Sequence, residues 1–344
     1  MKKLEERNIN FYAEDKEIVD RDMSVFYNPV MKLNRDVTSL VISTMENVKS
    51  CFPLAGSGIR ALRIGREREN VESIYVNDIK ESFEKLFEKN LDLNSLNKDK
   101  FIVGCKDANL FLLENKPFDY IDIDPYGSPN KFLDSAIHSL KHKGIIGITA
   151  TDTAALAGTY EKACKRKYWA IPIRNELKHE MALRILIRKC QLIAAQYEKA
   201  LIPVLSYFKD HYYKVFLKCI HKKSEADKVL LKHRYWNEKG PLWTGQLYEE
   251  ETVKKALENC SEEWKESYKL IKTIYEELEV DVFGFIDLHA FSKEYKIEKV
   301  PANKEVVKAI EEKGFIARRT HISNKGIKTN MPFEEVKDVI LQLS

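Results

Sequence analysis

The 344-residue sequence has no run of about 18 consecutive apolar residues, so it offers nothing to cross a membrane as a helix. Its opening, MKKLEERNINFYAED, has no apolar stretch fit for a signal peptide. Cysteine is sparse. The six residues (Cys51, Cys105, Cys164, Cys190, Cys219, Cys260) lie far apart with no C-x-x-C pair, which excludes a zinc knuckle and a dense disulfide framework. No internal repeat and no low-complexity tract is present. Charge of one sign is not in excess: Lys and Arg exceed Asp and Glu by only 4, so neither a histone-like protein nor an acidic tail is encoded. Any nucleic-acid site must come from local clustering. What is there is 44% apolar and 32% charged residues, ample for a large core and incompatible with a fully disordered chain. At roughly 100–200 residues per domain the length predicts two domains, in a soluble, reduced, cytoplasmic protein.

Short apolar runs predict strands at 51–55, 73–78, 101–105, 120–124 and 145–150. Between them, apolar residues recur at three- and four-residue steps. This predicts helices over Asp78–Asn94 and over Asn130–His142, the second capped by Ser128, with Pro129 in its first position and Gly144 as its stop. Strand–helix alternation implies βαβ units and a mostly parallel, doubly wound sheet. A long helix over Glu176–Lys199 follows, then two strands that turn at Lys209-Asp210-His211. After Ile220 the polar HKKSEADK reads as a linker. Beyond it come an irregular KGPLWTGQL stretch, a charged helix from about Glu250 to Leu278, a helix at 303–313, a strand pair turning at Ser323–Gly326 with Gly326 at positive φ, and a helix at 333–342. The expected division is residues 1–221 and a smaller α+β domain over 222–344.

Two motifs carry chemistry. Gly56-Ser57-Gly58-Ile59-Arg60-Ala61 fits the G-x-G-x-x-A turn that follows a strand and opens a helix. Asp78, twenty residues after Gly58, is a carboxylate able to accept both hydroxyls of a ribose. The pair suits nicotinamide and S-adenosylmethionine enzymes equally, and an ordinary turn with a capping Asp also fits. Asp107, after the third strand, either meets an adenine amine beside the Ala108 N–H or simply caps the next helix.

The second motif is Asp124-Pro125-Tyr126-Gly127 at the end of a strand whose acids, Asp122 and Asp124, share one face. An aryl amine is a poor nucleophile because its lone pair is delocalised. Asp124 and the Pro125 carbonyl can each accept one N–H of such an amine and turn the lone pair toward a methyl donor. Proline fixes the direction of that carbonyl, and Tyr126 can stack on the base. A plain turn would also use Asp, Pro and Gly, but two acids on one face of a buried strand are a costly choice for a scaffold.

These residues resemble the tRNA (guanine-26-N2)-dimethyltransferases, in their archaeal form. The likeness runs along nearly the whole chain: Val25–Val30 with Asn34-Arg35-Asp36, Gly56–Arg63, Asn77-Asp78, Asp124–Pro129, Thr149–Asp152, Lys167-Tyr168, Lys209–Tyr212, Gly240–Trp243, Arg319–His321 and Gly326–Thr329. The resemblance implies a class I, Rossmann-like methyltransferase sheet over 1–221, with the C-terminal α+β domain assisting tRNA binding. It also implies S-adenosylmethionine as cofactor and tRNA as substrate. Arg35, Arg63, Asp78, Asp107 and Ala108 fall at cofactor positions, with Arg60 nearby and Gly56 and Gly58 in the turn. Asp124 falls at the catalytic position. Phe26 and Tyr126 are placed to flank a flipped guanine. A four-cysteine zinc site found in many relatives before Gly-Pro-Leu-Trp has no counterpart, since Cys219 is the one cysteine near, so no metal is expected. Leu54-Ala55 also stands where many methyltransferases have an acid.

For RNA, residues 161–189 hold nine Lys and Arg against three Glu, interleaved with Tyr160, Tyr168 and Trp169. A second group, Arg318, Arg319, Thr320 and His321 with Lys325 and Lys328, is expected to grip a distant part of the RNA by shape. Solvated helix faces are the plain alternative for both.

Overall fold

The structure, a computed structural model, describes residues 1–14, 25–280 and 282–344. The chain opens with a hairpin, β1 (Lys2–Glu6) and β2 (Ile9–Ala13), then α1 (Lys32–Ile42). Strands and helices next alternate: β3 (Val48–Phe52), α2 (Ile59–Glu67), β4 (Val71–Asn77), α3 (Phe83–Leu93), β5 (Phe101–Gly104), α4 (Ala108–Asn115), β6 (Phe118–Ile123), α5 (Leu133–His138) and β7 (Leu140–Ala150). Three helices follow, α6 (Thr153–Leu156), α7 (Glu161–Tyr168) and α8 (Lys178–Ala195), then β8 (Lys199–Lys209), β9 (Tyr212–His221) and α9 (Lys223–Leu230). The remainder is β10 (His233–Trp236), β11 (Lys239–Trp243), α10 (Glu250–Glu258), α11 (Lys265–Glu277), β12 (Ile286–Asp287), α12 (Leu288–Glu294), α13 (Asn303–Glu312), β13 (Ala317–Arg319), β14 (Gly326–Thr329) and α14 (Phe333–Gln342).

These elements form two compact units interleaved along the chain. Unit 1 is Met1–Asp152, Lys189–Val204 and Lys214–Leu231; unit 2 is Thr153–Arg188, Leu205–Tyr213 and Lys232–Ser344. The expected boundary at 221/222 lies inside the last segment of unit 1. The large sheet runs β5-β4-β3-β6-β7-β9-β8, with β3, β4, β5, β6 and β7 paired in parallel. The near-continuous burial of β3, β6 and the second half of β7 suits a sheet covered on both faces. Unit 2 holds a small sheet, β12-β14-β13, whose core is built from Leu288, Phe291, Val306, Ile310, Ile327, Val336 and Ile340. No helix among the described residues is long and apolar enough to cross a membrane.

The helix at 333–342 forms as Phe333–Gln342, whereas several earlier helices are shorter than their periodicity predicts. Asp78 starts no helix: its side chain accepts the Gly56 and Lys80 N–H groups, and α3 begins only at Phe83. The helix predicted to His142 stops at His138 because the buried Lys199 ammonium donates to the Ile137, His138 and Leu140 carbonyls, each at 2.8–2.9 Å. Leu140 already belongs to β7, as does Gly144. Ser128 accepts the Asn130 N–H, in a turn before α5. The expected linker folds as α9, KGPLW is half of the β10–β11 hairpin, and the single charged helix is two, α10 and α11. The Ser323–Gly326 turn forms, with the Gly326 N–H on the Ser323 carbonyl at 3.0 Å. Gly326 is not at positive φ. It is needed because a Cβ there would stand 2.3 Å from the Thr320 methyl.

The first hairpin, unforeseen in the sequence, supplies a buried acid. Glu6 pairs with both Arg35 and Arg63, and Arg63 also reaches Asp36 and Glu67, at 2.7 Å each. Arg7 closes the group on Asp36 at 2.5 Å. Burial alone would raise the Glu6 carboxyl, but the two guanidinium groups outweigh it and hold its pKa at about 2. A carboxyl depressed from 4.5 to about 2 contributes stability above its ordinary pKa, and that contribution disappears as the pH falls through the folded value. The amount is about 3 kcal/mol. Denaturant unfolding of wild type and Glu6→Gln should therefore show wild type the more stable at pH 7 and the two converging between pH 4.5 and 2. Parallel pH curves would contradict the depressed carboxyl.

Candidate functional site

In the parallel sheet the chain runs outward from β3 to β4 to β5, then returns to place β6 on the other side of β3. At such a switch point the loops leaving the strand ends diverge and open a crevice. All the unit 1 motifs singled out above sit there. After β3 the chain turns through Gly56 (φ +58°) and Gly58 (φ +77°), conformations that side chains resist. A Cβ on Gly56 would lie 2.9 Å from the Phe26 carbonyl, and one on Gly58 would lie 2.4 Å from the Phe87 ring. The Gly56 N–H donates to Asp78 Oδ2 at 2.8 Å, tying the turn to the end of β4. The buried Asn77 ties a third loop: its amide donates to the Pro53 and Lys106 carbonyls and accepts the Lys106 N–H, all at 3.0 Å. Next to Asp78, Ile79 is an apolar side chain left 69% exposed. Asp107 caps α4, accepting the Asn109 and Leu110 N–H groups on Oδ1, with Ala108 as first residue of that helix.

Across β3, strand β6 delivers Asp122, Asp124 and the Pro125-Tyr126-Gly127 turn. Thr151, just past β7, pins that turn: the Gly127 N–H donates to its hydroxyl at 2.7 Å and the Thr151 N–H to the Gly127 carbonyl at 3.0 Å. Tyr126 is 66% exposed, and its ring meets Phe26 edge-to-face at 6.4 Å. The two aromatic residues expected to flank a base are thus brought together.

The arginines are deployed differently from a simple cofactor cluster. Arg35 and Arg63 belong to the Glu6 group, and Arg35 also donates to the Asn28 carbonyl at 3.1 Å. Arg60 turns the other way and pairs with Asp124. Its Nη1 donates to Asn34 Oδ1 and Thr38 Oγ1, both at 2.7 Å. Asp122 is fully buried. Burial alone would raise its carboxyl, but Arg60, Lys214 and the Tyr120 hydroxyl hold it below its ordinary value. Sequence reasoning missed Asn77, Thr151, Ile79 and Lys214 as contributors. The first two lie in stretches already quoted for the resemblance, whereas nothing local marks Lys214.

In unit 2, helix α7 exposes Lys162, Lys165, Arg166 and Lys167 between Tyr160 and Trp169, themselves 63% and 52% exposed. The rest of the basic stretch is not one surface. Arg184 is buried, bonded to Glu180 and to the Trp243 and Gly245 carbonyls. Lys189 is buried too. The second basic group is largely structural: Arg318 pairs with Glu279 and Glu311, Lys328 is buried against Glu180 and Glu277, and the His321 side chain lies on Glu277. Only Arg319 and Lys325 remain fully exposed. Among the described residues, no three His, Cys, Asp or Glu side chains are grouped to hold a metal ion.

Residues 6–238 and 233–341 match the family model of N2,N2-dimethylguanosine tRNA methyltransferase. The chain is 37% identical to the tRNA (guanine(26)-N(2))-dimethyltransferase of Pyrococcus furiosus over 93% of each chain. It is 36% identical to the tRNA (guanine(26)-N(2)/guanine(27)-N(2))-dimethyltransferase of Aquifex aeolicus, over 92% of this chain and 90% of that one. Among solved structures it is similar to Trm1 from Pyrococcus horikoshii in complex with S-adenosyl-L-methionine, with a TM-score of 0.90 and 33% identity, covering 99% of this chain and 100% of that one.

The glycine turn makes a prediction independent of ligands. Gly58→Ala adds a Cβ inside the Phe87 ring contact and forces positive φ on alanine. Overpacking of this kind costs about 1–3 kcal/mol, and the backbone conformation about 1 kcal/mol more. Denaturant unfolding should show a loss of that order, and a loss below half a kcal/mol would mean that the turn is not built as described.

Proposed function

The chain belongs to the N2,N2-dimethylguanosine tRNA methyltransferase family, and we infer from that membership that it transfers methyl groups from S-adenosylmethionine to the exocyclic N2 of guanine 26 in tRNA. The observation that carries the reading at residue level is the Asp124-Pro125-Tyr126 turn after β6, next to the Gly56–Gly58 turn after β3 and across β3 from Asp78 after β4. The nicotinamide reading of the glycine turn is set aside by the family.

The crevice fits the cofactor. Gly56 and Gly58 hold the loop after β3 in a tight positive-φ turn packed against Phe26 and Phe87. Asp78 is a carboxylate for the ribose hydroxyls. Ile79 offers an apolar face to the adenine, with Asp107 and the Ala108 N–H at its edge. S-adenosylmethionine, when bound, supplies a sulfonium-activated methyl that the amine nitrogen displaces from sulfur. For Arg35 and Arg63, their bonds to Glu6, Asp36 and Glu67 support a holding role beside this site.

Asp124 accepts one amine hydrogen and the Pro125 carbonyl the other, which turns the nitrogen lone pair out of conjugation. The carboxylate faces the positive charge that grows on nitrogen. The methylated arylammonium is a strong acid, so its proton passes to Asp124 Oδ1 and from there to water, and the neutral amine stands ready for a second methyl. Phe26 and Tyr126 stack on the extruded guanine once the exposed Tyr126 ring rotates out of its edge-on contact. The α7 cations with Tyr160 and Trp169 support phosphate and stacking contacts to tRNA from unit 2. A tRNA substrate supports a cytoplasmic location.

Incubation of unmodified tRNA transcripts with labelled S-adenosylmethionine, followed by nucleoside mapping, tests the reaction. Wild type should yield N2-methylated guanosine at position 26, and Asp124→Ala should be slower by about 10³-fold with cofactor affinity retained. A product at another base would overturn the reading. Asp78→Ala should weaken cofactor binding by about 10- to 100-fold. Lys162→Ala with Arg166→Ala should raise the Kd for tRNA and lower the slope of log K against log salt by about 2, leaving cofactor binding unchanged. An unchanged slope would remove α7 from the RNA surface.

A further inference from the structure

Beneath Asp124 lies a buried chain of charges that the methyl transfer described above does not use. The side chains of Lys214, on β9, and Asp122, on β6, are 0% and 1% exposed. The Lys214 ammonium donates to both Asp122 oxygens, at 3.1 and 3.2 Å, and to the Thr149 hydroxyl at 3.2 Å. Asp122 Oδ2 also accepts the Tyr120 hydroxyl at 2.6 Å and the Thr38 hydroxyl at 3.2 Å. Arg60 Nη1 stands 3.7 Å from that same oxygen, while Nη2 is bonded to Asp124 Oδ2. One guanidinium therefore faces two carboxylates. It hydrogen-bonds Asp124 and pairs with Asp122 only at the longer 3.7 Å separation.

Resting on the role of Asp124 inferred above, we propose that Arg60 is a positioning residue for Asp124, and that Lys214 decides which carboxylate Arg60 serves. With Lys214 present, Asp122 already has a cation and four hydrogen bonds, so Arg60 is spared for Asp124. Asn34 and Thr38, both on α1, fix the plane of the guanidinium from the far side. Holding Asp124 Oδ2 leaves Oδ1 as the one oxygen to meet the amine, which converts a rotatable carboxylate into a directed acceptor. Without Lys214, Asp122 is a buried anion whose one remaining cation is Arg60. Attraction in that low-dielectric site closes the 3.7 Å gap at the expense of Asp124.

The test uses the full-length enzyme with S-adenosylmethionine and tRNA transcripts, reading kcat, KM for tRNA, cofactor Kd by calorimetry, and Tm. Arg60→Ala should lower kcat by about 100-fold while cofactor Kd changes less than about threefold. Guanidinium chloride at tens of millimolar should restore at least about a tenth of the lost rate, with sodium chloride at the same concentration restoring none. Lys214→Met should lower kcat by about tenfold or more although Lys214 does not touch Asp124. The double variant Lys214→Met with Asp122→Asn removes both buried charges, so it is expected to fold even where the single variant is crippled. It should be more active than Lys214→Met alone, because nothing then competes for Arg60. Arg60→Ala with unchanged kcat and a cofactor Kd raised tenfold or more would make Arg60 a cofactor ligand and overturn the proposal. A double variant no more active than Lys214→Met would overturn the part assigned to Lys214. A wild type that transfers no methyl group would overturn the inferred function itself, and the proposal with it.

Discussion

A charge taken out of water must be answered within a few ångströms, and this requirement organises both units. Unit 1 contains two closed sets. Glu6, Asp36 and Glu67 answer Arg7, Arg35 and Arg63, while Asp122 and Asp124 answer Lys214 and Arg60. Unit 2 contains a third, in which Glu180 and Glu277 answer Arg184 and Lys328, with His321 alongside. In that set burial alone would raise the Glu180 carboxyl, yet Lys328, Arg184 and the Gly284 N–H bring it to about 2. Each set joins elements distant in sequence, so forming it fixes their registry. The first hairpin is held by these ion pairs to α1 and α2 as well as by the buried Ile9, Phe11 and Ala13 of β2. Asp124 takes its geometry from the second set, through Arg60.

The crevice itself is made of loops, which carry little rigidity of their own. Here the loops are locked by side chains that act as substitute backbone. Asn77 fastens the turns after β3 and β5, Asp78 fastens the glycine turn, and Thr151 fastens the Pro125–Gly127 turn to the end of β7. The cost of ordering these loops is therefore met when the sheet forms rather than when a ligand arrives, which is the sense in which such a site is preorganised.

The sequence disclosed whatever depends on local periodicity or on a short motif. Five strands, the parallel sheet, the glycine turn and the Asp124 turn were all visible because their residues are neighbours. Helix ends were misplaced where a distant side chain decided them, as Lys199 does for α5, sixty residues away in the chain. The largest blind spot was the pairing of charges. Arg35, Arg60 and Arg63 look alike in sequence, yet Arg60 serves Asp124 while the other two serve Glu6 on a hairpin with no recognisable motif. The group around Arg318 and Lys328 read as an RNA surface because its cations are adjacent, and nothing in the sequence shows that Glu277, Glu279 and Glu311 come to meet them.

The same accounting bears on how one guanine is chosen. Asp124 and the Pro125 carbonyl would accept the amine of adenine or cytosine as readily, and aromatic stacking accepts any base. The turn therefore supplies rate with little selectivity. Discrimination has to come from contacts that depend on the shape of the folded RNA, and these need cations not already committed to carboxylates inside the protein. The net charge of +4 says nothing about where those cations lie, since most arginines of unit 1 are internal counter-ions. Lys162 and Arg166, exposed on α7 beside Tyr160, combine the charge and aromatic surface that phosphate and unstacked bases require. Because the Asp122 and Asp124 charges are answered inside unit 1 and the α7 cations are not drawn on for that purpose, the chemistry and the RNA surface draw on different cations.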